Sequence, residues 1–220
     1  PDRCGVPACV FEDDFSYETW IDYILDVPMY FLQRGDSYID VSGQSFRAFM
    51  HGKLPGFEGQ VPIMKDFEDH ITTAFPEVRL KGYLEMRGAD SGSWGSICAL
   101  PALWVGLLYD SESLSAAEAL VSGISTQQVE AARLSALTDG LDGQFAGQPM
   151  LAIARDMVEL SEAGLARRQI KDSKSKDETQ YLAPLQEIVT KGKTNADIML
   201  EHYNSDWERD VRHLFKLYHY

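Results

Sequence analysis

The chain has little cysteine and no long apolar run. Its three cysteines are Cys4, Cys9 and Cys98, and the Cys4-x4-Cys9 spacing has no second pair to complete a four-ligand zinc site. The longest apolar stretch, residues 97–109, is shorter than the roughly 20 residues that cross a bilayer. These shortages predict neither a zinc centre nor a membrane-spanning helix.

Positive charge is also scarce. The 220 residues carry 20 Lys and Arg against 34 Asp and Glu, a net charge of −14 at pH 7. A nucleic-acid partner requires a basic stripe, and an anionic membrane attracts basic surfaces. We therefore expect no nucleic-acid partner and no membrane partner. The first residues lack the basic-then-apolar pattern of a signal peptide, so we expect a cytoplasmic protein.

The order of predicted elements indicates an α+β architecture. Ser16 has the chemistry to cap a helix that ends before Pro28. Residues 29–41 have the pattern of a β-hairpin, and a buried helix is predicted over residues 101–109 after a flexible loop at 91–96. From Ser111 the apolar residues recur with helical periodicity. We predict an α+β part over residues 1–110 and an all-helical region over 111–220.

The most informative stretch is residues 77–90. Glu77, Arg79, Lys81 and Tyr83 alternate with apolar or small residues, and the pattern continues through Glu85 and Arg87. Such alternation predicts one β-strand with a charged face and an apolar face packed on a core. The charged face is interpreted either as a solvated surface whose opposite charges pair across strands, or as a site. A carboxylate can hold a divalent metal, and a guanidinium can grip phosphate oxygens.

Several short segments, which follow one another in the same order, resemble a known enzyme family. They are residues 22–31, 45–49, 52–55, 70–76, 75–81, 83–90 and 98–110. Together they resemble the C-terminal half of glutamate–cysteine ligase (gamma-glutamylcysteine synthetase) of the plant and proteobacterial type. The resemblance is dense over residues 11–110 and becomes scattered beyond.

This resemblance implies both a fold and a reaction. It implies part of an antiparallel-sheet, glutamine-synthetase-like ligase fold, with residues 1–110 belonging to its catalytic domain. It implies ATP-dependent ligation of the glutamate γ-carboxyl group to cysteine through an acyl phosphate, the first step of glutathione synthesis, with ATP and Mg²⁺ as cofactors. The upstream half of the same protein would complete the site, a homodimer is compatible, and the isolated chain would be inactive.

The resemblance also assigns roles to individual residues. Glu85 matches a metal-binding glutamate, and Arg87 matches a catalytic, phosphate-binding arginine. Arg79 and Lys81 extend the ATP- and phosphate-binding side, or alternatively form an ion pair with Glu77. Tyr23 and Tyr83 are candidate substrate-binding residues, with simple packing as the alternative.

The chain departs from the family pattern at Gly82, Gly95 and Ser96, where the family carries arginines. Two alternatives therefore stay open beside the ligase. One is a non-catalytic paralogue or fragment that serves as a binding or dimerisation module. The other is a carboxylate–amine ligase that uses a different amino-acid acceptor.

Overall fold

The computed structural model describes residues 3–90 and 92–217. The chain divides into two compact units, residues 1–88 and residues 89–220. Both helices and small sheets are present, as the α+β prediction requires. The predicted division after residue 110 concerns the extent of a catalytic domain and stays a prediction.

The first unit combines three helices with three two-stranded ribbons. Strand β1 (Cys4–Gly5) pairs in parallel with β4 (Phe75–Pro76), whereas β2 (Phe31–Arg34) and β3 (Ser37–Asp40) form an antiparallel hairpin. The remaining elements are α1 (Tyr17–Asp26), α2 (Phe46–Met50), α3 (Met64–Thr72), β5 (Val78–Leu80) and β6 (Leu84–Met86). A 3₁₀ turn spans Ala8–Phe11.

Helix α1 begins and ends where its local signals predict. The Ser16 side chain accepts a hydrogen bond from the Thr19 amide, and the Thr19 hydroxyl accepts one from the Ser16 amide, which forms a capping box. Val27 adopts an extended conformation ahead of Pro28, so the helix stops at Asp26.

The core of this unit lies between the β2–β3 hairpin and the short helix α2. Its fully buried side chains are Met29, Leu32, Val41, Phe46, Phe49 and Leu54. His70 of α3 closes one side, because its ring stacks on Phe46 at 4.5 Å and its Nε2 lies 2.9 Å from the Ile24 carbonyl oxygen. Burial lowers the pKa of His70 and therefore favours the neutral ring.

The second unit is mainly helical. Its helices are α4 (Trp94–Leu108), α5 (Ser111–Val121), α6 (Thr126–Asp139), α7 (Met150–Arg168), α8 (Ala183–Lys191), α9 (Asn195–Asn204) and α10 (His213–Leu217). A short antiparallel ribbon of β7 (Gln144–Phe145) and β8 (Gln148–Pro149) precedes α7, so the prediction of an all-helical region over residues 111–220 is wrong at this ribbon. Two 3₁₀ turns span Gly140–Asp142 and Glu178–Leu182.

Helix α4 starts at Trp94, about two turns earlier than the sequence predicts. Ser93 caps it by accepting a hydrogen bond from the Ser96 amide, so residues 94–96 are helical rather than part of a flexible loop. Pro101 lies inside the helix, although an interior proline costs about 3 kcal/mol. The prediction treated Pro101 as a helix start, and tertiary packing of the apolar sequence around it overrides that local signal.

The two longest helices of this unit touch through their main chains. Gly106 of α4 faces Ser161 and Gly164 of α7, and a Cβ atom built on Gly164 would lie 2.0 Å from the Gly106 carbonyl oxygen. The buried Ser161 hydroxyl donates to the carbonyl oxygens of Leu103 (3.0 Å) and Ala102 (3.3 Å). Small residues on both helices therefore determine how closely α4 and α7 pack.

Asp110 fixes the start of α5 against the end of α7. Its carboxylate accepts a hydrogen bond from the Ser113 amide at 2.9 Å and three from the Arg167 guanidinium, the shortest from an Nη at 2.6 Å. The Arg167 hydrogen bonds hold the pKa of Asp110 well below its usual range.

Within residues 3–90 and 92–217, no helix is both long and apolar enough to cross a membrane.

The close contact of α4 and α7 predicts the effect of one added methyl group. Gly164→Ala is expected to lower the free energy of unfolding by roughly 1–3 kcal/mol through overpacking. Helix propensity alone would favour alanine by about 1 kcal/mol, so the sign of the change identifies the steric contact. The measurement is urea unfolding followed by circular dichroism. Gly82→Ala is the control, because a Cβ there meets no atom within 4 Å; equal midpoints for both variants would contradict the packing described.

Candidate active site

Residues 77–87 form a hairpin, not the single strand that the alternation predicted. Strands β5 and β6 pair antiparallel, with Val78 opposite Met86 and Arg79 opposite Glu85. The chain reverses at Gly82, where the Lys81 amide donates to the Tyr83 carbonyl oxygen at 2.8 Å. Odd residues pair with odd residues across the hairpin, so Arg79 and Glu85 still share one face.

The hairpin brings three charged side chains into direct contact, which we call the charged cluster (Arg79, Glu85 and Arg87). Arg79 Nε donates to Glu85 Oε2 at 2.7 Å, and an Nη of Arg87 donates to the same oxygen at 3.1 Å. The side chains of Arg79, Glu85 and Arg87 are 16%, 27% and 29% exposed. Because all three side chains are largely buried, they are held in place rather than freely solvated.

Electrostatics keep Glu85 ionised. The Arg79 hydrogen bond is the largest cause that lowers the pKa of Glu85; desolvation opposes it, and the Arg87 hydrogen bond and the charges of Arg79 and Lys81 add to it. Since the folded-state pKa is depressed, the resulting stabilisation is present above the ordinary carboxyl pKa of 4.5 and is lost as pH falls through the folded value.

Arg87 is held by two further neighbours. Its guanidinium carbon lies 5.7 Å from the centre of the Phe75 ring, and its amide donates to the Glu77 carbonyl oxygen at 2.8 Å. The Glu77 carboxylate in turn lies against Gly88, where a Cβ would approach Glu77 Oε2 to 2.8 Å. Glycine at position 88 therefore makes room for Glu77 beside the strand that carries Arg87.

The other predicted site residues lie around this cluster in different ways. Lys81 and Tyr83 flank the reversal at Gly82, and Tyr83 is 63% exposed. Arg79 pairs with Glu85 and so does not form the alternative ion pair with Glu77. Tyr23 lies on α1, where its ring packs 5.1 Å from the Trp20 ring. The structure thus joins Arg79, Glu85 and Arg87 directly and places Tyr23 on a separate element.

The described residues do not form a complete magnesium site. In the part of the chain that the structure describes, no group of three or more His, Cys, Asp or Glu side chains could hold a metal ion. Glu85 is the one carboxylate in the charged cluster, and two arginines already contact its Oε2. Magnesium requires more oxygen ligands than this cluster supplies.

An apolar groove adjoins the hairpin, and the sequence did not indicate it. The groove has a volume of about 840 Å³ and is lined by Val10, Phe11, Phe15, Trp20, Val78 and Leu84, among others. Val78 is 49% exposed and Leu84 is 58% exposed. The prediction that the apolar face of this stretch packs on a core is therefore wrong within the described residues. Alternation identifies such a face but not the element that covers it.

Comparison with known proteins now identifies the family. Residues 1–216 match the model of glutamate-cysteine ligase family 2 (GCS2). The chain belongs to this family. It is 45% identical over 214 residues to the chloroplastic glutamate–cysteine ligase of Nicotiana tabacum and 45% identical over 215 residues to that of Arabidopsis thaliana. The alignments cover 97% and 98% of this chain but 40% of each relative.

A third member of the glutamate-cysteine ligase family gives the same result. Glutamate–cysteine ligase A of Oryza sativa subsp. indica is 44% identical over 214 residues, which are 97% of this chain and 42% of that enzyme. The chain thus spans about two fifths of the length of the relatives it matches. All three relatives are named chloroplastic enzymes. Our expectation of a cytoplasmic location is therefore wrong; it rested on the first residues of a chain that covers only part of these enzymes.

The charged cluster predicts a titration that can be measured. Arg79→Gln is expected to raise the pKa of Glu85 towards 4.5, and by more than Arg87→Gln does, because the Arg79 hydrogen bond is the largest cause of the depression. The measurement is carboxyl ¹³C NMR over about pH 2–7, which spans the range in which protein carboxyl groups usually titrate. Glu187, which pairs with Lys191 on α8, is the internal control. A Glu85 titration that is the same in both variants would refute the geometry.

Proposed function

We propose that this chain forms part of an ATP-dependent glutamate–cysteine ligase that catalyses the first step of glutathione synthesis. Membership of the glutamate-cysteine ligase family supports the reaction. The observation that carries the proposal is the charged cluster, in which two arginines of a hairpin donate hydrogen bonds to one carboxylate. The whole reaction requires the remainder of the enzyme, so the isolated 220-residue chain is expected to be inactive.

The reaction joins two amino acids in two steps. A γ-carboxylate oxygen of glutamate attacks the γ-phosphorus of ATP, and ADP leaves, which gives an acyl phosphate. The amine of cysteine then attacks the acyl carbon, loses a proton, and displaces inorganic phosphate. Negative charge develops on the phosphoryl oxygens in both steps, and preorganised cations stabilise it.

The charged cluster suits the binding of phosphoryl oxygens. The two arginines of the charged cluster, together with the nearby Lys81, supply three positive charges around the carboxylate of Glu85. We assign Arg87 as the catalytic, phosphate-contacting residue, because its guanidinium is partly exposed and yet held by Glu85 and Phe75. Arg79 and Lys81 extend the binding surface for the phosphates of ATP. A guanidinium that is already oriented loses little freedom when it binds an oxyanion.

Glu85 is also proposed to contribute a carboxylate oxygen to Mg²⁺. Both arginine contacts fall on Oε2, which leaves Oε1 as the oxygen that would face an ion. The remaining magnesium ligands would come from outside the described residues. Tyr83, at the exposed turn, and Tyr23, on α1, are proposed to contact the amino-acid substrates.

Family membership also supports proposals about context. We propose that the β5–β6 hairpin belongs to an antiparallel, glutamine-synthetase-like sheet, and that the upstream half of the same protein completes the site. Since the relatives are named chloroplastic enzymes, a plastid is the proposed location. A homodimer is also compatible with the family.

One observation supports a second candidate function. Gly82 occupies a position where the family pattern carries an arginine, and a Cβ there would meet nothing within 4 Å. Packing at position 82 would therefore leave room for an arginine side chain. The absence of this arginine favours a chain that has kept the fold as a binding or dimerisation module. A ligase with another amino-acid acceptor would instead retain ATP turnover without dependence on cysteine.

The test is ADP release by the longest natural form of this protein, with glutamate, ATP and Mg²⁺, in the presence and absence of cysteine. Cysteine-dependent turnover is expected, and Glu85→Gln or Arg87→Lys is expected to reduce kcat by about 10²–10³-fold, the cost of losing one preorganised group. Glu187→Gln, on the exposed face of α8, serves as the charge-matched control and should retain activity.

The other outcomes of this assay are equally informative. Turnover that requires an amino acid other than cysteine would show a carboxylate–amine ligase with a different acceptor. Binding of magnesium–ATP without any turnover, by a folded and complete protein, would favour the binding module and refute the ligase.

A further inference from the structure

The apolar groove of the first unit lacks an occupant in the described residues. Its floor includes Phe11, Phe15 and Val78, which are 52%, 45% and 49% exposed, together with Leu84 at 58%. Folded monomers rarely leave a contiguous apolar surface of this kind open to water. A groove of about 840 Å³ with an aromatic lining therefore marks an interaction surface.

The hairpin beside the groove is incomplete as a sheet. Among the described residues, β5 and β6 hydrogen-bond to each other and to no further strand. An isolated two-stranded hairpin is marginally stable in water, and its outer edges present unpaired amide and carbonyl groups. The same element thus lacks both a cover for its apolar face and a neighbour for its edges.

The shape and charge of the groove restrict what can fill it. Two copies of the same concave surface, placed face to face, would leave both concavities empty, which disfavours a second copy. Glu18, Glu77 and Lys81 are the charged residues among its described lining residues, and most of the others are apolar. A chain segment with apolar side chains towards the groove and backbone groups towards a strand edge satisfies both requirements.

The length of the relatives indicates the source of that segment. The matched region is 40–42% of each relative, so more than half of a ligase chain lies outside it. We propose that the apolar groove, with Val78 and Leu84 in its lining, is the docking surface for an apolar, extended segment from that remaining part of the ligase. This inference rests on the proposed function only in taking the protein to be part of a longer ligase chain.

Binding of a segment in the apolar groove would affect the charged cluster on the other face of the hairpin. Val78 and Leu84 lie on the opposite face of the hairpin from Arg79 and Glu85, one residue away in each strand. A segment seated in the groove would stabilise the pairing of β5 with β6 and thereby the register that places Arg79 opposite Glu85. The apolar face then supports the charged cluster without contacting substrate.

The test compares side-chain accessibility in two forms of the protein, the 220-residue chain and its longest natural form. Leu84→Cys is labelled with a maleimide, and the labelled peptide is quantified by mass spectrometry. Labelling is expected to be at least about tenfold slower in the longer form, because a docked segment must open first. Val61→Cys is the matched control: Val61 is 60% exposed in the same unit, outside the apolar groove, and its rate should be equal in both forms.

Hydrogen exchange of the unsubstituted protein provides a measurement that needs no variant. Peptides that cover residues 78–86 should exchange more slowly in the longer form than in the 220-residue chain. Equal labelling and equal exchange in the two forms would overturn the proposal. Labelling of Leu84→Cys that slows as the concentration of the 220-residue chain rises would assign the groove to a second copy and overturn it too. Neither readout depends on ADP release, so a failed docking surface and a failed ligase are distinguishable.

Discussion

The antiparallel register of β5 and β6 is the constraint on which the candidate site depends. In an extended strand, Arg79 and Glu85 would lie about 20 Å apart at about 3.3 Å per residue. Reversal of the chain at Gly82 places them opposite each other, and one carboxylate oxygen then joins two guanidinium groups. A shift of this register by one residue would separate these charges and turn them to the other face.

The sequence predicted best those elements that local chemistry determines. Ser16 caps α1 as predicted, through a capping box with Thr19. The β2–β3 hairpin also formed where its turn signal predicted it. In each case a few adjacent residues carry enough information, because the stabilising hydrogen bonds are local.

The elements that were predicted wrongly depend on contacts that alternation and composition do not encode. A single strand and a hairpin in which odd-numbered residues pair with odd-numbered residues place Arg79 and Glu85 on the same face. The sequence Lys-Gly-Tyr at the reversal is not a strong turn signal. Glycine and serine before Pro101 indicated a loop, yet packing extends α4 back to Trp94. The charged face of the site was therefore predictable, whereas the pairing of Arg79 with Glu85 was not.

The contact between Gly106 and Gly164 has a mechanical consequence for the helical unit. Because main chain meets main chain there, no side chain separates Gly106 from Gly164 that could change rotamer and absorb a displacement. Sliding one helix along the other would bring a Cβ atom against a carbonyl oxygen. We therefore expect α4 and α7 to move together as one body, with shape changes of this unit confined to the shorter helices and turns attached to them.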